Sequence, residues 1–376
     1  MIKVLNVISD TNIGGAGKCV LTFLKYYNKE LFDLAVVVPA GSLLKPEIEA
    51  LGGRCIEVDG IADKSLDWGA VKKLLAIFRQ EKPDIVHAHA SMAARVAARQ
   101  YGKCKIVYTR HSVFEPEKRI SRGLGKLING AVNNATADKI IAVAEAAKDN
   151  LTATGVSEKK IIVIQNGVEP LQRLSEEEML RLKSNYNVEE GEYLLGIAAR
   201  LNEVKGHTDI LEAVKLLIDD GIRVKLLIAG TGDYEPVIRE KIAELGIEAN
   251  VVMAGFVTDV TGMMNILDCN VNASFGTEAT SLSLLEGMSL GLPAVVSDFG
   301  GNPGVITEGV NGYLFPTRDV HSLYQKLKLL LADPETYERI RQGCKRVFEE
   351  KFRAEAMTGR IEQVYLELLN KGGQSR

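Results

Sequence analysis

The segment FGTEATSLSLLEGMSLGLP, residues 275–293, follows one short apolar run at 269–274 and leads into another at 293–297. A strand, a helix opening near Thr280 and a second strand make a βαβ unit, which joins parallel strands. Outward from it the alternation repeats, with runs at 193–199, 224–229, 250–257 and 312–315. An earlier series occupies 2–9, 34–39, 54–59, 84–90, 105–110, 139–144 and 160–165. These runs are mostly apolar rather than alternating, as in strands buried on both faces of a parallel sheet. Helical patterns lie between them, such as Val71, Leu74, Leu75 and Phe78 at i, i+3, i+4 and i+7.

The stretch 168–191 holds a proline, many charges and a Ser175–Glu178 capping box but no strand, and it marks a domain junction. The predicted organisation is therefore two doubly wound, Rossmann-like α/β domains, 1–168 and 169–352. The amphipathic helix at 353–376, with Met357, Ile361, Val364, Tyr365 and Leu368 on one face, comes after the second sheet is complete and is expected to pack back on the first domain. Ligands of open parallel sheets sit beyond the carboxyl ends of the strands, so two such sheets can face each other across a cleft.

A chain of 376 residues is long enough for two cores. Its formal charge of −3 arises from intermixed acids and bases, which argues against bulk nucleic-acid binding. The five cysteines lack metal-ligand spacing and read as free thiols of a reducing cytoplasm. The N-terminus shows no secretory signal, and no window is apolar enough to span a bilayer. The expected location is cytoplasmic, or peripheral at the inner face of the cell membrane.

Four places carry chemistry. The first strand runs into Asn12-Ile13-Gly14-Gly15-Ala16-Gly17 and a helix, which suits an anion at a helix N-terminus or simply a tight turn. Asn12 and Cys19 break the P-loop pattern, and Val20 breaks the dinucleotide fingerprint. Gly230-Thr231-Gly232 is a second GxG without its third glycine. In IAARLNEVKG, 197–206, Arg200 ends a strand and Lys205 opens a helix, where cations oppose the helix dipole unless an anion lies in front. A planar fork and a mobile point charge together suit a diphosphate. Glu278 and Glu286 sit on a helix-spaced pair, about 12 Å apart along its axis. Both can reach one elongated ligand, with the amides of Ser281 and Leu282 left for its oxygens. The competing reading makes Glu278 a cap and Glu286 a paired core residue.

These residues resemble the retaining glycosyltransferases of the GT-B fold, family 4 (group 1). The resemblance rests on the E-x7-E of Glu278 and Glu286, ARLNEVKG, the N-terminal glycine loop, Asn166-Gly167-Val168 and GVNGYLFP at 309–316, and spans nearly the whole chain. It implies an acceptor-binding first domain and a donor-binding second. Arg200 and Lys205 would bind the donor diphosphate, Glu286 the ribose, and Glu278 the sugar hydroxyls, while Gly15 packs against the phosphates. The donor-binding set implied also contains Gly14, Asn166, Gly230, Val257, Thr280, Ser281 and Leu282. The catalytic set is Glu278, Arg200, Lys205 and His111, which stands where the family places a histidine near the sugar's C6 hydroxyl. His87 and His89 share one strand face with no third ligand evident, which favours core and cleft-lining roles over a metal. No D-x-D triplet occurs, so no metal and no cofactor beyond a UDP- or GDP-sugar are expected. Where the family often reads Glu-Gly-Phe-Gly, this chain has Glu278-Ala279-Thr280-Ser281, which alters the sugar pocket.

The function implied is transfer of a hexose or N-acetylhexosamine to a cell-envelope glycan: capsule, lipopolysaccharide or exopolysaccharide. Transfer to a small soluble acceptor and nucleotide-sugar epimerisation are alternatives on the same fold, and an NAD(P)-dependent oxidoreductase is more remote. Between 118 and 128, Lys118, Arg119, Arg122 and Lys126 interleave with Ile120, Leu124, Leu127 and Ile128. That pattern fits an anionic membrane surface near a lipid-linked acceptor, or an ordinary solvated helix.

Overall fold

The computed structural model describes residues 1–62, 66–113 and 116–373. Two compact units emerge: Met1–Gly167 with the segment from Ala354, and Val168–Arg353. In the first, β1 (Ile2–Ile8), β2 (Phe32–Pro39), β3 (Arg54–Val58), β4 (Ile85–His89), β5 (Lys105–Arg110), β6 (Lys139–Ala142) and β7 (Ile161–Val163) form one sheet. Its order is 3-2-1-4-5-6-7 and every pairing is parallel. The second sheet holds β8 (Tyr193–Ala198), β9 (Val224–Ala229), β10 (Val251–Gly255), β11 (Cys269–Asn272), β12 (Ala294–Ser297) and β13 (Gly312–Phe315). Its order, 10-9-8-11-12-13, repeats the same winding, again parallel throughout.

Side-chain alternation builds a core on each face of each sheet. In the first unit Val4, Ile8, Val36 and Val38 enter one core, and Leu5, Val7, Ala35 and Val37 the other. In the second, Leu195, Ile197, Leu226 and Ile228 face one way, Leu194 and Leu227 the other. The apolar runs read from sequence correspond to the strands. Those at 139–144 and 160–165 overrun the ladder, because Val143 and Ala144 are buried beyond the end of β6.

The helix Ala354–Gly373 lies in the first unit. Met357, Ile361, Val364 and Tyr365 complete the core beside Phe23 and Phe32. The Tyr365 ring meets both phenyl rings edge-on at 5.9 Å, the geometry that aromatic quadrupoles favour. Its hydroxyl is 2.6 Å from Nδ1 of buried His87, whose Nε2 meets Thr109 Oγ1 at 2.6 Å. His87 is thus a satisfied core histidine. Burial holds it neutral, with its pKa down to about 3.

Candidate active site

The second unit's site grows from the carboxyl ends of β8, β9, β11 and β12. β11 ends in the polar sequence Asn270, Asn272, Ser274, whose side chains are buried where apolar ones would be expected. Asn270 Nδ2 donates to Ser283 O at 3.1 Å, whereas Asn272 and Ser274 hold Glu278. Its buried carboxylate uses Oε2 alone, accepting from Lys205 Nζ at 2.9 Å, Asn272 Nδ2 at 3.1 Å and Ser274 Oγ at 3.1 Å. Among the described residues no protein group bonds Oε1. Lys205 Nζ also donates to Thr277 O at 3.0 Å, which leaves one of its three hydrogens. Asn272 Oδ1 is engaged by the Ser274 amide at 3.0 Å, and Ser274 O by Ser297 Oγ at 2.6 Å. A buried carboxylate is costly unless paired and hydrogen-bonded, and both conditions are met here.

Three glycines let this loop cluster close. Gly300, at φ +62°, would place a Cβ 2.0 Å from Glu278 O, and the Gly301 amide donates to that same carbonyl at 3.1 Å. Gly206, at φ +69°, lies under Ala273 O with 2.2 Å for an added Cβ. Gly230, at φ +145°, would place one 1.9 Å from Ala199 O. The GTG loop and the Arg200 loop are therefore one structure, tied further by the Leu201 amide donating to Thr231 O at 3.0 Å. Close backbone approach inside the protein requires a glycine at Gly230, a position that the resemblance also puts in the donor set.

Two local expectations need correction. Lys205 does not open a helix: it closes the single turn Glu203–Lys205, and left-handed Gly206 caps the helix His207–Asp219. The charge that answers it is Glu278, within the chain. The helix after Glu278 begins at Leu282, capped by extended Ser281, so Glu278 stands in the loop ahead of it and the helical 12 Å spacing does not apply. Ser281 Oγ pairs with Ser283 Oγ at 3.0 Å instead of capping the amides. The first-turn amides from Leu282 onward therefore lack intrahelical acceptors. Glu286 is half-buried on the helix, and Thr280 is half-buried beside its cap. Arg200, two residues beyond β8, is exposed, and its guanidinium has no partner among the described residues. Val257 is partly buried just past β10.

The first unit carries the remaining predicted residues. Gly14 caps the helix Gly15–Tyr26 without a side-chain bond, and a Cβ at Gly15 would meet open space. Asn166 is buried, its Oδ1 engaged by Cys19 Sγ at 3.0 Å. His111 follows β5 and meets His89 Nδ1 through Nε2 at 2.8 Å, with the rings stacked at 5.1 Å. Burial lowers its pKa to about 4. Among the described residues no group of three His, Cys, Asp or Glu is arranged to hold a metal ion. Asn272, Ser274 and Gly300 are the members that the sequence reading missed. The polar alternation at the end of β11 was the available signal for Asn272 and Ser274.

Two family models account for most of the chain: Glycosyltransferase Family 4 over residues 13–171 and Glycosyl transferases group 1 over residues 179–347. The chain belongs to these glycosyltransferases. Relatives of this transferase include the N-acetyl-alpha-D-glucosaminyl L-malate synthase of Bacillus anthracis, 25% identical over 308 residues, 81% of this chain and 80% of that one. The UDP-Gal:alpha-D-GlcNAc-diphosphoundecaprenol alpha-1,3-galactosyltransferase of Escherichia coli is 25% identical over 327 residues, 81% of this chain and 80% of that one. Among solved structures, Anabaena Alr3699/HepE in complex with UDP superposes with a TM-score of 0.86 at 21% identity, covering 97% of this chain and 100% of that one. The transferase has the GT-B fold of two parallel-sheet α/β domains.

Removing one member of the buried Lys205–Glu278 pair strands the other. Lys205→Met is expected to cost about 3–5 kcal/mol, and adding Glu278→Gln to recover a large part of it. Urea unfolding of the two single variants and the double variant checks this. Strictly additive losses would show that the pair is not coupled.

Proposed function

We propose that this glycosyltransferase moves a hexose or N-acetylhexosamine from a UDP- or GDP-sugar to an acceptor in cell-envelope glycan synthesis, with retention at the anomeric carbon and without a metal. One observation carries the reading: Glu278 is pinned through Oε2 and keeps Oε1 for a ligand. A carboxylate oxygen held rigidly beside a lysine suits vicinal sugar hydroxyls. Exposed Arg200, the remaining N–H of Lys205 and the first-turn amides from Leu282 would take the charge of the departing diphosphate. Glu286, further along the same helix, would take the ribose. On this reading the first unit binds the acceptor and its His111 meets a substrate hydroxyl. The names of the relatives, which include a UDP-galactose-dependent enzyme acting on a diphosphoundecaprenol, support the class of donor and acceptor.

Release of nucleoside diphosphate from UDP- and GDP-sugars in the presence of candidate acceptors tests the activity. Glu278→Gln is expected to lower kcat roughly 100-fold, the scale of one lost transition-state contact. Nucleotide affinity should change little. Full retained activity in that variant would remove Glu278 from the site.

A membrane face is also proposed, for the helices Lys118–Ser121 and Gly123–Thr136. Here polarity is inverted. Asn133 and Thr136 face inward, both bonded by Arg95, while Leu124, Leu127 and Ile128 are 71%, 69% and 55% exposed. Lys118, Arg119 and Arg122 are exposed beside them. Apolar side chains flanked by cations fit an anionic lipid surface, and no described helix is long and apolar enough to cross a bilayer. The chain should co-sediment with phosphatidylglycerol vesicles at low salt, and Leu124→Ser with Leu127→Ser should release it. No sedimentation of the unaltered chain would contradict the proposal.

A further inference from the structure

Behind His111, two polar side chains of the adjacent strands β1 and β4, Asn6 and His89, extend a chain of hydrogen bonds to which the transfer chemistry above gives no role. Asn6 Oδ1 meets His89 Nε2 at 3.0 Å, and His89 Nδ1 meets His111 Nε2 at 2.8 Å. Asn6 and His89 are buried, and the two imidazoles stack with ring planes 23° apart. Burial depresses the pKa of both histidines, so each carries a single ring hydrogen at ordinary pH.

Counting those hydrogens fixes the direction of the chain. A carbonyl oxygen can only accept, so His89 carries its hydrogen on Nε2 and donates it to Asn6. Its Nδ1 is then bare and accepts from His111 Nε2–H. His111 has one hydrogen, already spent, so its Nδ1 holds a lone pair. That atom and Asn6 Nδ2, at the two ends of the chain, are buried and have no partner among the described residues. Asn6, His89 and His111 line one small cavity of about 20 Å³, room for a single water or hydroxyl group.

We propose that Asn6 and His89 are positioning residues that lock His111 in the Nε2–H tautomer, so that His111 presents an acceptor to a substrate hydroxyl rather than an N–H. The inference deepens the proposed function and rests on it only for the arrival of a substrate at His111. The lock itself is a property of the first unit. It separates His89 from His87, which in sequence reads as its cleft-lining companion. His87 is closed off by Tyr365 and Thr109, whereas His89 transmits the Asn6 carbonyl to His111.

The test is long-range proton–nitrogen correlation on the full chain labelled at histidine, with the His111 signals assigned by their loss in His111→Gln. The unaltered chain should show a pyridine-like Nδ1 and a pyrrole-like Nε2 for His111, and Asn6→Ala should turn that pattern into a mixture of tautomers. A protonated Nδ1 in the unaltered chain overturns the proposal, as does an unchanged tautomer in Asn6→Ala. In parallel, kcat of Asn6→Ala should fall about 5–10-fold, the loss of roughly one hydrogen bond's worth, with the KM for donor unchanged. A shifted tautomer with undiminished kcat would refute the positioning role while leaving the transferase reading in place. Loss of transfer in Glu278→Gln is independent of either result.

Discussion

A buried carboxylate that is held by one oxygen and free at the other is the constraint around which the second unit is organised. Glu278 is neutralised by Lys205 and oriented by Asn272 and Ser274, all through Oε2. The desolvation cost of placing charge there is met by an ion pair and two further hydrogen bonds, so the remaining oxygen is preorganised rather than sought at the moment of binding. Lys205 in turn sits where it does because Gly206 adopts a left-handed conformation that ends its turn against Ala273.

Close backbone approach sets the shape around that pair. Gly206, Gly230 and Gly300 each lie against a carbonyl with no room for a methyl group, at Ala273, Ala199 and Glu278 respectively. The loops that follow β8, β9, β11 and β12 are thereby interlocked. Gly15 is the contrast. Nothing lies near its missing side chain, at the N-terminus of a 12-residue helix, so internal packing does not require it.

Much of the fold was legible because a doubly wound sheet writes itself as short apolar runs separated by helical periods. Met357, Ile361, Val364 and Tyr365 announced a helix in need of a surface, and the surface is the first unit's core. Lys205 stood out in the sequence as a cation set against a helix dipole, and Glu278 by its spacing from Glu286. What sequence could not give was which charge answers which. Lys205 suggested an absent anion, yet its partner lies 73 residues along the same chain. Helix boundaries were the other miss. Ser281 adopts extended backbone, and the Glu278–Ser281 loop delays the helix to Leu282. The histidine chain was invisible for the same reason as the ion pair: Asn6, His89 and His111 are adjacent only through the 2-1-4-5 strand order.

The two units thus prepare their polar groups in one manner, fixing one atom of a side chain internally so that another is presented in a known state. Glu278 presents an oxygen and His111 a lone pair. The most direct test of this account is a crystal structure with an intact UDP- or GDP-sugar bound. It should show sugar hydroxyls on Glu278 Oε1, the diphosphate against Arg200 and Lys205, and Oε2 keeping its three protein partners. A sugar bound away from Oε1, or a Glu278 side chain swung out of its cluster to reach the ligand, would contradict it.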